Sequence, residues 1–364
     1  MNKEKVVLFT ANIQGGIVQF TVQLFRVLNS QGYKVFVFMP DNVKNTDLSE
    51  LKDSLCYYKK EKKVLNSSSY KDIARRISDF NPLFVWYMDD SAVSQKVGLY
   101  IDGSIKQILT MHDAGNFHPS HKHSMRTWAV QKYGQLLARK FYKKVFRFVL
   151  LSKGSLITFN DNFPVYKDKT CIMNLGAHLP KDEEIRPTEV NDNYNNNYYL
   201  FFGRIDKYKG IETLLRTYGE ANKCSFPLVI AGSGTLTQRE RELVEKENRV
   251  LLINRYISDG EMKWLLSHSM AVVLPYIEAT QSGVIPLSYY YTKPVLVSNV
   301  YGLTQFVDHG TTGYIVETDE QWIELFNNMN QGNFRDLQDD IHRYYEMYLD
   351  WNINIHSVLN EVNN

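Results

Sequence analysis

The stretch YYLFFGRIDKYKGIETLL, residues 198–215, contains the pattern from which the fold can be predicted. The apolar run 198–202 is typical of a buried strand, and a loop with Gly203 and Gly210 follows it. Helical spacing of apolar residues then begins at Ile211. Strand, loop and helix in this order form the repeating unit of a parallel α/β layer.

The same order recurs on both sides of this stretch. Before it, the pattern predicts strands at 6–10, 34–39, 83–87, 105–111, 146–151 and 170–173, and helices at 17–29, 70–80 and 126–142. Residues 40–69 are predicted to be polar and irregular. After it, the pattern predicts strands at 228–231, 250–253, 271–274, 294–297 and 313–316, and helices at 236–247, 259–267 and 282–291, with further helices to the C-terminus.

Length and composition divide this series into two domains. A chain of 364 residues is long enough for two, and the almost wholly polar stretch 181–197 is typical of a linker. We therefore predict an N-terminal α/β domain at 1–180 and a C-terminal ligand-binding α/β domain at 198–340. The helical segment 341–364 is expected to pack back on the N-terminal domain. The predicted architecture is two doubly wound, Rossmann-like domains facing across a cleft, with ligands at the carboxyl ends of the strands.

The composition excludes several classes of protein. Hydrophobic residues make up 44% of the chain and charged residues 23%, which is typical of a globular protein rather than a disordered or fibrous one. No apolar run is long enough for a transmembrane helix, and residues 6–11 are too short for the core of a secretory signal. Three widely spaced cysteines fit neither a disulfide framework nor a metal site, so we expect a cytoplasmic protein.

Charge is distributed unevenly along the chain. Residues 1–180 contain 26 lysines and arginines against 14 acidic residues, a net charge of +12, and the remainder carries −10. This asymmetry suggests that the N-terminal half meets an anionic partner, for which nucleic acid, an acidic membrane surface and a phosphorylated substrate all fit. The alternative is two solvated faces of opposite sign that help the halves associate. The chain contains no recognisable nucleic-acid-binding module, so a nucleic-acid partner is not expected.

The segment 114–160 concentrates this positive charge, since it has nine basic residues and no acidic one. The basic residues are Lys122, Arg126, Lys132, Arg139, Lys140, Lys143, Lys144, Arg147 and Lys153. The aromatic residues interleaved with them are Trp128, Tyr133, Phe141, Tyr142, Phe146 and Phe148. A basic helix with aromatic residues is typical of a membrane-surface element, so we expect peripheral association with the cytoplasmic face of a membrane. The alternative is a solvated basic helix whose aromatic residues belong to the core.

Glycines and cations follow several predicted strands. Gly15 and Gly16 lie between a strand and a helix, where backbone N–H groups can approach an anion, although a tight turn also explains them. Arg204 and Lys209, five residues apart in one loop, could clamp a diphosphate, or could lie on a hydrophilic surface loop. Gly232 begins a Gly-Ser-Gly turn that permits either close approach of a ligand or a simple turn.

The segment YIEATQSGV, residues 276–284, is the most informative for chemistry. It places a carboxylate, hydroxyl groups and a glycine at the start of a helix, where sugar hydroxyls and phosphate can be bound. Helix capping by Thr280 or Ser282 is compatible with that role. His112 follows another strand and could donate to a hydroxyl or a phosphate. Asp89 and Asp90 could bind an acceptor hydroxyl, although a solvated loop is the alternative that we favour.

These motifs together resemble the retaining glycosyltransferases of family four, which have the two-domain GT-B fold. The matching stretches, in the family's order, are NIQGGIVQF (12–20), MHD (111–113), FFGRIDKYKGIETLL (201–215), AGSG (231–234), PYIEATQSGVIPLSYYYTKPVLVS (275–298) and FVDHGTTGYIV (306–316). Each stretch alone is loose, but their common order over about 300 residues is specific. The resemblance therefore spans most of the chain.

The resemblance implies roles for the matching residues. Gly15 and Gly16 would face the donor phosphates and the acceptor, and His112 would contact the transferred sugar near its anomeric centre. Arg204 and Lys209 would hold the diphosphate and stabilise it as the leaving group. The remaining donor contacts would come from Glu278 to a sugar hydroxyl, from Gly232, and along the phosphates from the backbone of Ser282, Gly283 and Val284.

The chain departs from the family at one position. The family usually has a second glutamate after the one matched by Glu278, and alignment on Gly283 places Ser288 there, after a two-residue insertion. That glutamate normally grips the nucleotide ribose. A serine can form a single hydrogen bond but not a bidentate one, which weakens the expected nucleotide contact more than the sugar contact.

The resemblance implies a metal-independent hexosyltransferase without a cofactor. It would move a hexose with retention from a nucleoside diphosphate sugar, with a UDP-sugar favoured, to a hydroxyl of a glycan or lipid-linked glycan in bacterial cell-surface polysaccharide synthesis. The alternatives are a non-catalytic or partner-dependent GT-B subunit, for which the missing glutamate is the reason, and a nucleotide-sugar epimerase.

Overall fold

A computed structural model describes residues 3–13, 15–44, 48–59, 67–112, 114, 125–179, 182–191, 194 and 197–363, with the side chains of 125–133 excepted. The chain forms two compact units. Unit 1 comprises Met1–Asn174 and Asn354–Asn364, and unit 2 comprises Leu175–Ile353. The division follows Asn174, whereas the sequence predicted a boundary at 180. None of the described helices is long and apolar enough to cross a membrane.

Unit 1 is built on a seven-stranded parallel sheet. Its strands are β1 (Lys5–Phe9), β2 (Lys34–Pro40), β3 (Leu55–Tyr58), β4 (Phe84–Tyr87), β5 (Lys106–Met111), β6 (Arg147–Leu150) and β7 (Thr170–Ile172). Its helices are α1 (Gly16–Ser30), α2 (Ser67–Ser78), α3 (Ala92–Tyr100), α4 (Met125–Lys144) and α5 (Lys153–Asn162), and 3₁₀ helices cover Ser49–Ser54 and Pro164–Lys169. The sheet order is β3-β2-β1-β4-β5-β6-β7, so the order reverses between β1 and β4.

Unit 2 repeats this design with a six-stranded parallel sheet. Its strands are β8 (Tyr199–Phe202), β9 (Leu228–Ala231), β10 (Val250–Ile253), β11 (Ala271–Leu274), β12 (Val295–Ser298) and β13 (Gly313–Val316). Its helices are α6 (Ile211–Glu220), α7 (Gln238–Lys246), α8 (Asp259–Ser267), α9 (Val284–Tyr290), α10 (Tyr301–Thr304), α11 (Asp319–Asn328), α12 (Gln331–Arg335) and α13 (Gln338–Tyr348). The sheet order β10-β9-β8-β11-β12-β13 reverses between β8 and β11.

The strands are almost continuously apolar because helices cover both faces of each sheet. Every residue of β4, β9 and β11 is buried, for example. Strand β1 pairs with both β2 and β4, with Val6 opposite Val35 and Phe84. Loops diverge where a sheet order reverses, and this leaves a crevice at the carboxyl ends of the strands. The loops after β1 and β4, and those after β8 and β11, are therefore the natural places for ligand-binding residues.

The last helix, α14 (Trp351–Asn363), returns the chain to unit 1. Arg147 Nη2 forms an ion pair with Glu361 Oε2 at 2.7 Å, and Ser357 Oγ donates to the Ile172 carbonyl at 2.7 Å. These contacts tie the end of the chain to β6 and β7.

The structure differs from the sequence prediction at four places. Residues 40–69, predicted to be irregular, contain β3 and a 3₁₀ helix, and helices α3 and α5 were not predicted. The predicted linker is not a free tether in its described part: the Ile185 N–H donates to the Gly260 carbonyl, and Glu189 pairs with Arg255 at 2.8 Å.

Three aromatic residues of the basic segment belong to the core of unit 1. Phe141, Tyr142 and Phe148 are at most 3% exposed, and Phe146 is half-buried under the Arg147 guanidinium. This burial fits the alternative of a basic helix whose aromatic residues belong to the core, and the predicted peripheral association with a membrane stays a prediction. The side chains of Lys122, Arg126, Trp128, Lys132 and Tyr133 lie outside the described residues.

Candidate functional site

The loop that follows β8 runs alongside the loop that follows β9. The Gly203 N–H donates to the Ala231 carbonyl at 3.0 Å, and the Ile205 N–H donates to the Ser233 carbonyl at 2.9 Å. A Cβ atom at Gly232 would lie only 1.8 Å from the Gly203 carbonyl oxygen. Close packing of two backbone segments is thus sufficient reason for a glycine at 232, and its predicted ligand contact stays a prediction.

The same loop is anchored to the loop that follows β11. Gly210 ends the 3₁₀ helix Lys207–Lys209 in a left-handed conformation, with φ 67° and ψ 28°, and starts α6. A Cβ atom there would lie 1.8 Å from the Pro275 carbonyl oxygen, so only glycine allows this approach. The Ile277 N–H donates to the Tyr208 carbonyl at 2.8 Å. These contacts bring Lys209 beside residues 276–284, the YIEATQSGV stretch, which is called the signature segment below.

Lys209 lies against two tyrosine rings. Its Nζ is 3.6 Å from the ring centroid of Tyr276 and 5.0 Å from that of Tyr208. The two rings meet edge to face, with their centroids 6.4 Å apart. In the described part of the chain, no carboxylate forms an ion pair with this ammonium. The cation is therefore held by aromatic faces rather than by a counter-charge.

Burial lowers the pKa of Lys209 to about 7. The positive charge of Arg204 lowers this pKa further, whereas Asp206 raises it and only partly compensates. Removing an ammonium from water without a paired anion is costly, which is why the neutral form becomes accessible near neutral pH. An anion bound beside Lys209 would restore the charge, so the site is suited to a negatively charged ligand.

Arg204, the second predicted cation, is exposed on the same loop. Its Nη2 donates to the Tyr208 hydroxyl at 3.3 Å, so Tyr208 contacts both cations. The structure thus brings Arg204 and Lys209 together around one ring, as a clamp requires. Their binding of a diphosphate stays a prediction.

The signature segment offers both an exposed carboxylate and a buried hydroxyl. Glu278 is exposed, two residues beyond the fully buried Tyr276. Ser282 is 6% exposed, and its Oγ lies 3.5 Å from the Tyr276 hydroxyl and accepts from the Val284 N–H at 3.4 Å. Gly283 precedes the first turn of α9. The predicted donor-binding residues of this segment therefore lie on one loop with the ring that contacts Lys209.

Ser288, which stands at the position of the family's second glutamate, lies inside helix α9. It is fully buried in α9, and its Oγ donates to the Val284 carbonyl at 2.7 Å, one helical turn back. This bond within the helix occupies the hydroxyl, a common arrangement for serine inside a helix. The hydroxyl therefore supports α9 in this structure, and the predicted contact of Ser288 with the nucleotide stays a prediction.

In unit 1, the predicted glycines lie at the start of α1. Gly15 has φ 82°, a conformation that favours glycine, and its carbonyl accepts from the Val18 N–H at 3.0 Å. Both Gly15 and Gly16 are exposed, and a Cβ atom at either would meet nothing within 4 Å. The turn explains Gly15, while Gly16 has no steric reason to be glycine.

His112 follows β5 and is oriented by its neighbours. Its Nε2–H donates to the Met88 carbonyl at 2.9 Å, and the edge-to-face contact with Phe20 has centroids 5.3 Å apart. The ring is half-buried, at the carboxyl end of the sheet where its predicted role would place it. Asp113, the last residue of the matched MHD stretch, lies outside the described residues.

Asp89 is not in a solvated loop, which corrects the alternative favoured from the sequence. It is 5% exposed, and its carboxylate accepts four hydrogen bonds. The donors are the Thr10 hydroxyl at 3.1 Å, the Ala11 N–H at 2.8 Å, the Ser91 N–H at 3.1 Å and the Ser94 hydroxyl at 2.9 Å. Asp89 therefore fastens the loop after β1 to the start of α3.

Asp90 is half-buried beside it and binds two helices. It accepts from the Tyr142 hydroxyl of α4 and, at 3.0 Å, from Gln95 Nε2 of α3. Burial raises the pKa of Asp90 to about 6, and the charge of Asp89 adds to this shift. The hydrogen bonds from Tyr142 and Gln95 oppose it.

Sequence reasoning missed the aromatic residues that surround Lys209. Tyr208 adjoins Lys209 in the chain and Tyr276 opens the signature segment, yet neither carries a motif of its own. The sequence did contain one indication of this contact: Lys209 and the two tyrosines lie on loops that each follow a predicted strand. Among the described residues, no group of three or more His, Cys, Asp or Glu side chains is arranged to hold a metal ion.

Comparison with known families supports the sequence resemblance for the second half of the chain. Residues 182–342 match the family model of Glycosyl transferases group 1. This segment includes the loops after β8 and β11, with Arg204, Lys209 and Glu278. No curated protein matches the chain significantly.

Solved structures resemble the chain over its full length. A glycosyltransferase from Rickettsia africae ESF-5 has a TM-score of 0.73 at 16% identity, covering 100% of this chain and 98% of its own. Anabaena HepE in complex with UDP-glucose has a TM-score of 0.73 at 13% identity, covering 99% and 100%. The apo lipopolysaccharide outer core galactosyltransferase WaaB has a TM-score of 0.66 at 14% identity, covering 99% of each chain. The GT-B fold predicted from the sequence is thus confirmed.

Proposed function

We propose that this chain, with its GT-B fold and its glycosyl transferases group 1 segment, is a retaining hexosyltransferase. It moves a hexose from a nucleoside diphosphate sugar, with a UDP-sugar favoured, to a hydroxyl of a glycan or lipid-linked glycan. It works without a metal ion or cofactor, in the cytoplasm, in the synthesis of cell-surface polysaccharide. The observation that carries the proposal is the half-buried Lys209 ammonium, which lies against two tyrosine rings and forms no ion pair with a described carboxylate.

The diphosphate is the ligand that best fits this environment. A desolvated cation gains most from an anion that it meets directly, and Arg204 adds a second cation on the same loop. Two cations that hold a diphosphate stabilise the charge that develops as it departs. Both belong to the loop after β8, where the sheet order reverses, which is a common place for nucleotides in doubly wound sheets.

The proposed reaction exchanges one bond for another at the anomeric carbon. The bond from that carbon to the diphosphate oxygen breaks, and the bond to the acceptor oxygen forms on the same face of the sugar. The acceptor proton passes to an oxygen of the departing phosphate, so no side chain has to remove it. Arg204 and Lys209 stabilise the diphosphate throughout.

The remaining predicted residues have roles around this step. Glu278, exposed on the loop after β11, binds a hydroxyl of the donor sugar. Ser282, Gly283 and Val284 contribute backbone N–H groups along the phosphates. His112, fixed by the Met88 carbonyl, contacts the transferred sugar. Unit 1 provides the acceptor side, to which Gly15 and Gly16 contribute.

The comparisons support the proposal without identifying the substrate. Structures of similar fold include HepE in complex with UDP-glucose and the lipopolysaccharide outer core galactosyltransferase WaaB. These descriptions concern those proteins. They make a UDP-hexose the first donor to try and a surface glycan the first acceptor class.

A panel of nucleotide sugars tests the proposal. We expect one donor to raise the melting temperature, as a ligand of the native state does, and to be hydrolysed slowly without acceptor even in EDTA. Lys209→Ala should lose both effects, whereas Lys207→Ala, on the same 3₁₀ helix, should keep them. Stabilisation without hydrolysis would favour a partner-dependent subunit, and conversion of one nucleotide sugar to another would favour an epimerase. If no donor stabilises the protein, the proposal is wrong.

A further inference from the structure

Tyr276 is held rigidly at the centre of the proposed diphosphate site. Its side chain is 1% exposed, and its ring meets the Tyr208 ring edge to face. The backbone on either side of it is also fixed, because the Pro275 carbonyl packs on Gly210 and the Ile277 N–H donates to the Tyr208 carbonyl. A ring held in this way gives a preorganised surface to whatever lies on its face.

The group on that face is the Lys209 ammonium, 3.6 Å from the ring centroid. An ammonium at this distance is attracted by the electron-rich face, and the attraction increases when water is excluded. The Tyr276 hydroxyl points elsewhere, since it lies 3.5 Å from Ser282 Oγ. The contact with Lys209 therefore depends on the ring and not on the hydroxyl.

We propose that Tyr276 is a positioning residue for the proposed transfer reaction, whose ring holds the Lys209 ammonium in place for the diphosphate. The inference rests on the proposed function and extends it to a residue for which the sequence motifs gave no role. Tyr276 acts through Lys209 and touches neither the sugar nor the reacting atoms.

The surroundings of Lys209 determine how strongly its charge state depends on the contact with the Tyr276 ring. Arg204 and Asp206 face the ammonium from its own loop, and Tyr208 and Tyr276 face it with their rings. Burial has already brought the pKa of Lys209 down to about 7. Since a π face favours the charged form, removing the ring of Tyr276 while keeping the site buried should lower this pKa further.

Two substitutions separate the ring from the hydroxyl. Tyr276→Leu keeps an apolar side chain but removes the ring, and Tyr276→Phe keeps the ring and removes only the hydroxyl. Tyr199→Leu is a matched control, because Tyr199 is buried in the same unit at a place where its ring does not contact Lys209. Thermal unfolding of each variant shows how much of any effect is loss of stability.

The first measurement needs no substrate. The Lys209 amine is followed by NMR of ¹³C-methylated protein, with its signal assigned by its absence in Lys209→Arg, and its pKa is read by titration. We expect the pKa to fall in Tyr276→Leu and to stay at the wild-type value in Tyr276→Phe and Tyr199→Leu. An unchanged pKa in Tyr276→Leu overturns the inference.

The second measurement is calorimetric binding of UDP, with inorganic pyrophosphate in parallel, between pH 6.5 and 8.5. We expect Tyr276→Leu to bind UDP about tenfold more weakly at pH 7.5, with the loss increasing as pH rises, while Tyr276→Phe stays within about twofold of wild type. Equal affinities in wild type and Tyr276→Leu overturn the inference but leave the proposed function intact. Absence of UDP and pyrophosphate binding in wild type overturns the proposed function, and the inference with it.

Discussion

The carboxyl-end loops of the two sheets each hold partly buried charged side chains, but the groups that surround these charges differ. In unit 1, Asp89 and Asp90 are surrounded by neutral donors: four hydrogen bonds reach Asp89, and Tyr142 and Gln95 donate to Asp90. In unit 2, the Lys209 ammonium faces two aromatic rings and no hydrogen bond from it to a described acceptor replaces its lost hydration.

This difference distinguishes a completed network from an incomplete one. The carboxylate of Asp89 has as many donors as it can use, so it fastens loops together without needing a ligand. Lys209 has attraction to rings but no anion, and a desolvated cation of this kind gains most when an anion binds. The comparison therefore supports the proposal that the acidic pair of unit 1 is structural and that the basic pair of unit 2 binds a ligand.

The largest effect should come from removing the cations of unit 2. We expect Arg204→Ala and Lys209→Ala each to lower turnover on the order of 10²–10³-fold, because each removes a charge that stabilises the departing diphosphate. Steady-state kinetics with the identified donor measures this. Lys207→Ala, on the same 3₁₀ helix, is the control that should stay near wild type. Near-normal turnover in both alanine variants would show that Arg204 and Lys209 do not stabilise a departing diphosphate.

A smaller but more specific effect is expected at Glu278, the exposed carboxylate of the same edge. Glu278→Gln should lower transfer about 10²-fold while leaving UDP affinity nearly unchanged, since its partner is the sugar, which UDP lacks. Parallel kinetics and UDP calorimetry test this, with the exposed Glu212→Gln on α6 as control. If UDP affinity falls as much as turnover, Glu278 belongs to the nucleotide site instead.

The sequence was most informative where one local pattern determines one element. Continuous apolar runs identified β9 and β11, because parallel strands are buried on both faces. Helix α3 was missed because it buries Ser94, Gln95 and Lys96, which removes the apolar stripe that identifies a helix. Strand β3 was missed because it is short and its neighbouring residues are polar.

The residues of the candidate site were likewise predictable where a local pattern identified them. Arg204, Lys209 and Glu278 could be named from motifs, since each lies in a loop directly after a strand. The contact of Lys209 with Tyr276 could not, because it depends on two loops that are distant in sequence and on the close packing at Gly210. The orientation of Ser288 was equally hidden, since a motif alignment gives a position but not the direction of a hydroxyl within a helix.

Asp90 offers a test of the unit 1 network through pH. Burial raises the pKa of Asp90 to about 6, so the folded protein takes up this proton more readily than the unfolded chain does. The stability that Asp90 contributes therefore falls as pH rises from about 4 through 6. Asp90→Asn should be more stable than wild type at pH 8 by on the order of 1–2 kcal/mol, with the difference lost at pH 4.5.

Urea unfolding at the two pH values measures this difference. The buried Gln95 Oε1 has no hydrogen-bond partner. If the Gln95 amide rotates, this oxygen can accept a hydrogen bond from the side-chain N–H of an asparagine at position 90. Asp89→Asn is the contrasting variant, because an amide cannot accept all four hydrogen bonds, and it should be destabilised at both pH values. A loss of stability in Asp90→Asn at pH 8 would mean that the charge of Asp90 is compensated after all.

The smallest expected effect concerns where the positive charge of unit 1 lies. Residues 1–180 carry a net charge of +12, and the described part of α4 exposes several of these cations. On α4, Arg139, Lys140 and Lys143 are exposed, whereas Lys144 donates to the Leu99 carbonyl at 2.7 Å and holds α3. With Phe141, Tyr142 and Phe148 in the core, we propose that membrane association is electrostatic.

Changing Arg139, Lys140 and Lys143 to Gln tests this proposal without disturbing Lys144. Arg139 and Lys143 are four residues apart and share one face of the helix. At up to about 1 kcal/mol for each of these two charges, the variant should bind anionic liposomes about 10- to 30-fold more weakly at low salt. Changing the exposed Lys3, Lys5 and Lys34 to Gln removes the same charge near the amino ends of β1 and β2 and should have less effect. Cosedimentation with liposomes at two salt concentrations measures this binding. If wild type does not bind anionic liposomes, or if both variants lose binding equally, Arg139, Lys140 and Lys143 form only a solvated surface.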